Sequence, residues 1–236
     1  MTSGYFDFKR VRRRLRSPVT TGAGTVDSVD RIILRTQSDH GTGYGEIAPW
    51  PGFPTESVEQ ALEFLRSAQG NLPHLIAAVD ASPTSLPCLS SALSSCRLWD
   101  KIAGFGGSLP CAGLMTLSVM ETDAKVAAGF QTLKVKISPE TSEESIHGVL
   151  SRFPGRLRLD ANGSLDLQTA RRWTVFARSQ TQVEFLEQPL PVGHPGYASL
   201  GPDKIALDES FLTPGGIDWS GTVVVKPLLA GDWDDL

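Results

Sequence analysis

Five residues in the second half of the chain each close a short apolar run: Lys136 in "TLKVKIS", Asp160 in "RLRLDAN", Glu187 in "VEFLEQP", Asp208 in "KIALDES" and Lys226 in "TVVVKPLL". They are separated by 24, 27, 21 and 18 residues, each interval about the length of one strand-helix unit. Three carboxylates supply hard oxygen ligands suited to Mg²⁺, leaving coordination positions for water or substrate. A lysine at either end of the series can move a proton or stabilise a developing negative charge. Taken singly, each carboxylate has a structural explanation: "DAN" is turn chemistry, "EQP" ends a strand before proline, and "DES" can cap a helix. Five such residues on consecutive strand ends point instead to a shared site.

The elements that must carry them follow from periodicity. In "TLKVKIS" (132 to 138), Leu133, Val135 and Ile137 point one way and Lys134 and Lys136 the other, because side chains on a strand alternate. Further strands are expected at 111 to 118, 156 to 162, 183 to 189, 204 to 210 and 222 to 229, with helical segments in most gaps. One helix is expected to open on a Thr141-x-x-Glu144 capping box, and another on an N-cap at Asp166. Parallel strands joined by crossover helices form either a doubly wound sheet or a (β/α) barrel. Chemistry favours the barrel, where strand ends converge on one mouth. In that case the lysines point into the mouth and the apolar face of their strand meets the covering helices. A doubly wound nucleotide-binding fold would need a GxGxxG or P-loop after its first strand, and none is present.

Before residue 108 the character differs. Strands are expected at "YFDF", "DRIILRT" (30 to 36) and in "TGYGEIAPWPGFPTES" (42 to 57), which runs on into a Gly/Pro-rich loop. Helices follow at 57 to 65, opened by a Ser57-x-x-Gln60 capping box, and at 89 to 104; "GFGGSLP" (104 to 110) has a linker's composition. The fold class is therefore α/β, with an N-terminal α+β module over 1–108 and a parallel β/α region over 109–236.

Composition narrows the function. The 236 residues carry a net charge of −4, 40% apolar and 20% charged residues, as a globular chain does. That charge gives no general attraction to nucleic acid or anionic membrane, and no apolar run approaches a spanning helix. "KRVRRRLR" (9 to 16) is basic but lacks aromatic platforms for bases. The start has no secretory signal, Cys88, Cys96 and Cys111 show no CxxC spacing, and His40, His74, His147 and His194 make no zinc pattern. A soluble protein of a reducing cytoplasm is expected, acting on a small molecule without nucleic acid or membrane as partner.

The ordered set "KVK" (134 to 136), "RLDAN" (158 to 162), "EQP" (187 to 189), "DES" (208 to 210) and "VKP" (225 to 227), with "GEIAPWPGF" (45 to 53), resembles the enolase superfamily, and within it the o-succinylbenzoate synthases of menaquinone biosynthesis. The resemblance implies a capping domain over 1–108 and an incomplete enolase-type (β/α)₇β barrel over 109–236. Family members continue for roughly another quarter of their length, so the chain looks C-terminally truncated and its own activity is in question. "SPVTTGAGT" (17 to 25) and "APWPGF" (48 to 53) match the places of the two specificity loops. By the same resemblance Asp160, Glu187 and Asp208 match the Mg²⁺ ligands, with Mn²⁺ as a substitute ion. Lys136 matches the base and acid beside Lys134, and Lys226 the lysine on the opposite face. Asn162 and Arg158 are the expected substrate-binding groups. The implied reaction is dehydration of 2-succinyl-6-hydroxy-2,4-cyclohexadiene-1-carboxylate to 2-succinylbenzoate. N-succinylamino acid racemases and dipeptide epimerases share most of these motifs, and an inactive barrel serving as a scaffold is a third expectation.

Overall fold

The computed structural model describes residues 3–21, 24–82, 85–104, 106–212, 218–229 and 231–233. It divides into two compact units, one of Met1–Gly107 with Lys226–Leu236 and one of Ser108–Val225.

The first unit begins with three antiparallel strands in the order β1 (Gly4–Thr21), β2 (Gly24–Ser38), β3 (Gly41–Ile47). Alternation decides their faces: Ile32, Leu34 and Thr36 are buried while Ile33 is exposed. The basic run lies on β1, an edge strand whose Arg10 pairs with Asp30 (2.8 Å) and Glu59 (3.0 Å). Residues 17–21 and 24–25, expected as a loop, instead continue the β1–β2 hairpin; Gly22 and Ala23 lie outside the described residues. Residues 48–57 do form a loop, leading to α1 (Val58–Ser67), where Ser57 and Gln60 make the expected reciprocal cap. Helices α2 (Leu72–Asp80), α3 (Pro87–Arg97) and α4 (Trp99–Ala103) complete the layer. On β3 a Cβ at Gly43 or Gly45 would stand 2.1 Å from the carbonyl oxygen of Cys96 or Ala92, so only glycine lets α3 lie directly on the strand.

The second unit is built from β4 (Gly113–Met115), α5 (Val119–Ala127), β5 (Thr132–Lys136), α6 (Glu143–Leu150), β6 (Arg156–Asp160), α7 (Leu167–Ser179), β7 (Val183–Glu187), α8 (Tyr197–Leu200), β8 (Ile205–Leu207), α9 (Glu209–Leu212) and β9 (Thr222–Val223). Its six strands are all parallel and lie in chain order, β4 to β9. A doubly wound sheet reverses its strand order near the middle; this one does not, which is the barrel's connectivity. Leu133, Val135 and Ile137 are buried in the core with Ile146, Val149, Phe153 and Trp173, so the apolar face of β5 meets the helices as its alternation requires. Asp166 caps α7 as expected, but α6 is capped by Ser142, one residue later than the sequence suggests, because the Thr141 hydroxyl accepts from Ser138 N–H (2.9 Å).

The expected last strand, 222 to 229, is shorter: β9 ends at Val223 and a 3₁₀ turn follows at Pro227–Leu229. Residues from Lys226 onward group with the first unit because their polar atoms find partners on α3. Ser91 Oγ donates to Pro227 O (2.6 Å), and Asp232 accepts from Ser94 Oγ and Arg97 (both 2.9 Å). Among the described residues no helix is long and apolar enough to cross a membrane.

Candidate active site

Parallel register sets the site. Lys136 on β5 pairs with Asp160 on β6, which pairs with Glu187 on β7, so three functional side chains stand in one row across adjacent strands. Glu187 pairs in turn with Ala206, two residues before Asp208, at the end of β8. Because a strand alternates with period two, Asp208 has the parity of Ala206, and Lys134 that of Lys136. Backbone bonds continue the rim past the strand ends, from Ile137 N–H to Asp160 O (2.8 Å) and from Ala161 N–H to Glu187 O (3.1 Å). Asp160, Glu187 and Asp208 are each only 1% exposed.

Burying three carboxylates demands positive charge. Lys134 Nζ lies 2.7 Å from Glu187 Oε1 and 3.0 Å from Asp160 Oδ2, and Lys136 Nζ lies 3.1 Å from Asp160 Oδ2. The two lysines differ in exposure: the Lys134 side chain is 26% exposed and the Lys136 side chain 53%. Lys136 Nζ also donates to Asn162 Oδ1, and Asn162 N–H donates to Asp160 Oδ1 (3.0 Å). Burial would lift the Asp160 pKa, but the charges of Lys134 and Lys136 outweigh it and hold the carboxyl below its ordinary value. Burial likewise pulls the Lys134 ammonium down, and the charges of Asp160 and Glu187 more than offset that, so its pKa is raised. Glu187 is pushed up to about 7, first by burial and then by the Asp160 charge, with Lys134 opposing. Two lysines thus do not fully compensate this rim.

Among the described residues, no group of three His, Cys, Asp or Glu side chains stands ready-made to hold a metal ion. The donor set nevertheless fits a hard divalent cation: carboxylates from three adjacent strands, buried, with Glu187 raised by that burial and by the neighbouring Asp160 charge. Asp160, Glu187 and Asp208 would hold it, and Lys134, now paired with two of them, would have to yield part of that contact.

The remaining expected site residues go elsewhere. Arg158, two residues before Asp160 on β6, pairs with Glu184 (2.7 Å) and lies over the Phe185 ring. Both charged partners line a cavity of ≈ 680 Å³ at the starts of the strands, together with Gln131, Arg156 and Gln182, away from the carboxylate row. Lys226 belongs to the first unit, its Nζ 5.2 Å from the centre of the Phe53 ring in the loop after β3. Sequence reasoning missed Gln188. Its place between Glu187 and Pro189 reads as a strand end, yet its side chain is buried and bonds to the next rim residue (Asp208 N–H to Gln188 Oε1, 3.0 Å).

Residues 119–218 match the family described as Enolase C-terminal domain-like. The o-succinylbenzoate synthase of Thermosynechococcus vestitus is 31% identical over 251 residues, which cover 94% of this chain and 75% of that protein. A hydrophobic dipeptide epimerase of a Flavobacteria bacterium is 26% identical, covering 87% of this chain and 68% of that one. Among solved structures, o-succinylbenzoate synthase from Thermosynechococcus elongatus BP-1, complexed with Mg in the active site, superposes with a TM-score of 0.78 at 29% identity, over 98% of this chain and 78% of that one.

Proposed function

The chain belongs to the enolase superfamily, and from that premise we propose that it carries the o-succinylbenzoate synthase reaction: Mg²⁺-dependent dehydration of 2-succinyl-6-hydroxy-2,4-cyclohexadiene-1-carboxylate to 2-succinylbenzoate in menaquinone biosynthesis. The observation that carries the choice is the 31% identity to a synthase across 94% of the chain. In this reading the unit of Ser108–Val225 supplies the metal ligands together with Lys134 and Lys136.

A hydrogen α to a carboxylate is a very weak acid, so its removal needs both a base and a stabiliser of the resulting charge. Bound Mg²⁺ would supply positive charge where negative charge develops on the substrate carboxylate. Lys136 is proposed as the base; an ammonium has no lone pair, so it acts in its neutral form. Its half-exposed side chain, with Nζ held by Asn162 and Asp160, supports the assignment. It takes the α proton as the C–H bond breaks, then gives it to the departing hydroxyl as the C–O bond breaks, leaving an aromatic ring and water. Lys134 neutralises the buried carboxylates, and Lys226 is proposed as the cation on the opposite face of the substrate. Arg158 is given no substrate contact in this reading, because it pairs with Glu184 at the starts of the strands, away from the carboxylate row.

The relative named as a dipeptide epimerase favours a second reading, in which the lysines exchange a proton on one carbon without loss of water. The purified protein, assayed with Mg²⁺ on the cyclohexadiene carboxylate, on N-succinylamino acids and on dipeptides, separates the two. Turnover of the first substrate supports the synthase. Epimerisation of the others without dehydration moves the chain to the epimerases or racemases, and no turnover of any of them with Mg²⁺ bound supports a scaffold.

A further inference from the structure

Gln188 makes hydrogen bonds that tie together all three carboxylate-bearing segments. Its backbone N–H donates to Ala206 O on β8 (2.9 Å), and its carbonyl accepts from Gly163 N–H in the loop that follows Asp160 (2.6 Å). Its side chain, 1% exposed, uses every hydrogen-bonding position it has. Oε1 accepts from Asp208 N–H (3.0 Å) and Ser210 N–H (3.2 Å), while Nε2 donates to Leu190 O (3.0 Å) and Ser210 Oγ (2.6 Å). Its φ is +40°, in the left-handed region that non-glycine residues seldom adopt. Such a conformation persists where the surroundings over-determine it, and functional sites are where it collects.

From these bonds the geometry points to Gln188 as a positioning residue that fixes Asp208 relative to Glu187 and Asp160, and so sets the spacing of the cation site; this rests on the metal reading above. Glu187 is its covalent neighbour, so the Gln188 backbone determines where the Glu187 side chain starts. Asp208 sits just beyond the last residue of β8, where the ladder no longer holds it. The glutamine oxygen takes over there, holding the backbone N–H of Asp208 itself and that of Ser210 after it. A carboxyl group ligates a small cation only if its oxygens stand within a few tenths of an ångström of the ligand distance, so slack at Asp208 costs affinity before it costs the fold.

The test measures Mg²⁺ binding by titration calorimetry, and thermal unfolding in EDTA, on the full chain. Gln188→Met keeps the volume and removes the acceptor. It is expected to weaken Mg²⁺ binding about 10- to 100-fold, the usual loss for an outer-shell partner, while EDTA-treated protein still unfolds cooperatively. Gln188→Glu keeps an oxygen acceptor for the two N–H groups and is expected to bind Mg²⁺ within about threefold of the parent, even where it lowers the melting temperature. Tyr197→Phe provides the structural control: its hydroxyl bonds Leu190 (2.6 and 3.2 Å) and Ser210, two of Gln188's own partners, while the Gln188 bond to Asp208 N–H stays in place, so it should lower the melting temperature and leave Mg²⁺ affinity unchanged. Parental affinity in folded Gln188→Met, or equal loss in Gln188→Met and Tyr197→Phe, overturns the positioning role alone. A parent that binds no Mg²⁺ overturns the reading of the site, and this role with it.

Discussion

Lys134 reaches across a neighbouring strand to Glu187: its Nζ on β5 lies 2.7 Å from Glu187 Oε1 on β7, passing Asp160 Oδ2 on β6 at 3.0 Å. One ammonium therefore serves two buried carboxylates. The division is unequal, since Asp160 has Lys136 as well and is held below its ordinary pKa, while Glu187 is pushed up to about 7.

That inequality predicts how stability depends on pH without metal. Glu187 has a folded pKa above its unfolded one, so its contribution is fully present below about pH 4.5 and is lost as pH rises through about 7. Asp160 has the opposite sign, and its contribution is lost only as pH falls through its depressed value, below 3.8. In EDTA the protein is expected to melt lower at pH 8 than at pH 5.5, by an amount of order 1 to 3 kcal/mol. Glu187→Gln should flatten the difference. Equal melting temperatures at the two pH values in the parent would remove the account of uncompensated charge.

Removing the shared ammonium sharpens the same point. Lys134→Met leaves Asp160 and Glu187 facing one another with Lys136 alone, and breaking a buried pair from one side costs about 3 to 5 kcal/mol, less here because Lys134 is partly exposed. The deficit should be largest in EDTA and shrink when Mg²⁺ is added, because a cation held by the same carboxylates replaces the lost charge. A deficit unchanged by Mg²⁺ would show that Lys134 supports the fold through something other than these carboxylates.

What could be read in the chain was what local period and interval encode. The alternation of Leu133, Lys134, Val135 and Lys136 fixed which face is apolar, and the intervals between Lys136, Asp160, Glu187 and Asp208 fixed that each closes a successive strand. Bonds made at a distance could not be read. Gly43 and Gly45 look like ordinary turn glycines until α3 lies on them. The Thr141 box failed because Ser138 claims the threonine hydroxyl, and residues after Lys226 left the barrel region because α3 offers Ser91 and Ser94 as partners. Gln188 was hidden for the same reason: its partners are 2 to 25 positions away.

Glu56 is a prediction of that hidden kind. It is 3% exposed, and its carboxylate accepts from Cys88 N–H (3.1 Å) and Leu89 N–H (2.7 Å), capping α3 from 32 residues away where Leu86, in the cap position, has no side-chain acceptor. Glu56→Ala should cost about 2 to 4 kcal/mol, from two orphaned N–H groups and the lost favourable charge at the helix start. Chemical denaturation measures this, and a loss under about 0.5 kcal/mol would mean that water replaces the cap.

Lys136 and Lys134 share a strand face but should fail differently when changed. Lys136 is half exposed and its partner Asp160 retains Lys134, so Lys136→Ala should alter stability by no more than about 1 kcal/mol. As the proposed base it should nevertheless lower kcat about 10²- to 10⁴-fold. Lys136→Arg separates proton transfer from charge. An arginine keeps the cation but stays protonated, so it should be as inactive as the alanine variant, whereas Lys226→Arg, at a position proposed to need only positive charge, should retain part of the activity that Lys226→Ala loses. These kinetics are to be measured on whichever substrate the parent turns over. Near-parental kcat in Lys136→Arg would show that Lys136 contributes charge alone, and would pass the base to another group on the rim, with Lys134 the nearest candidate on the same face of β5.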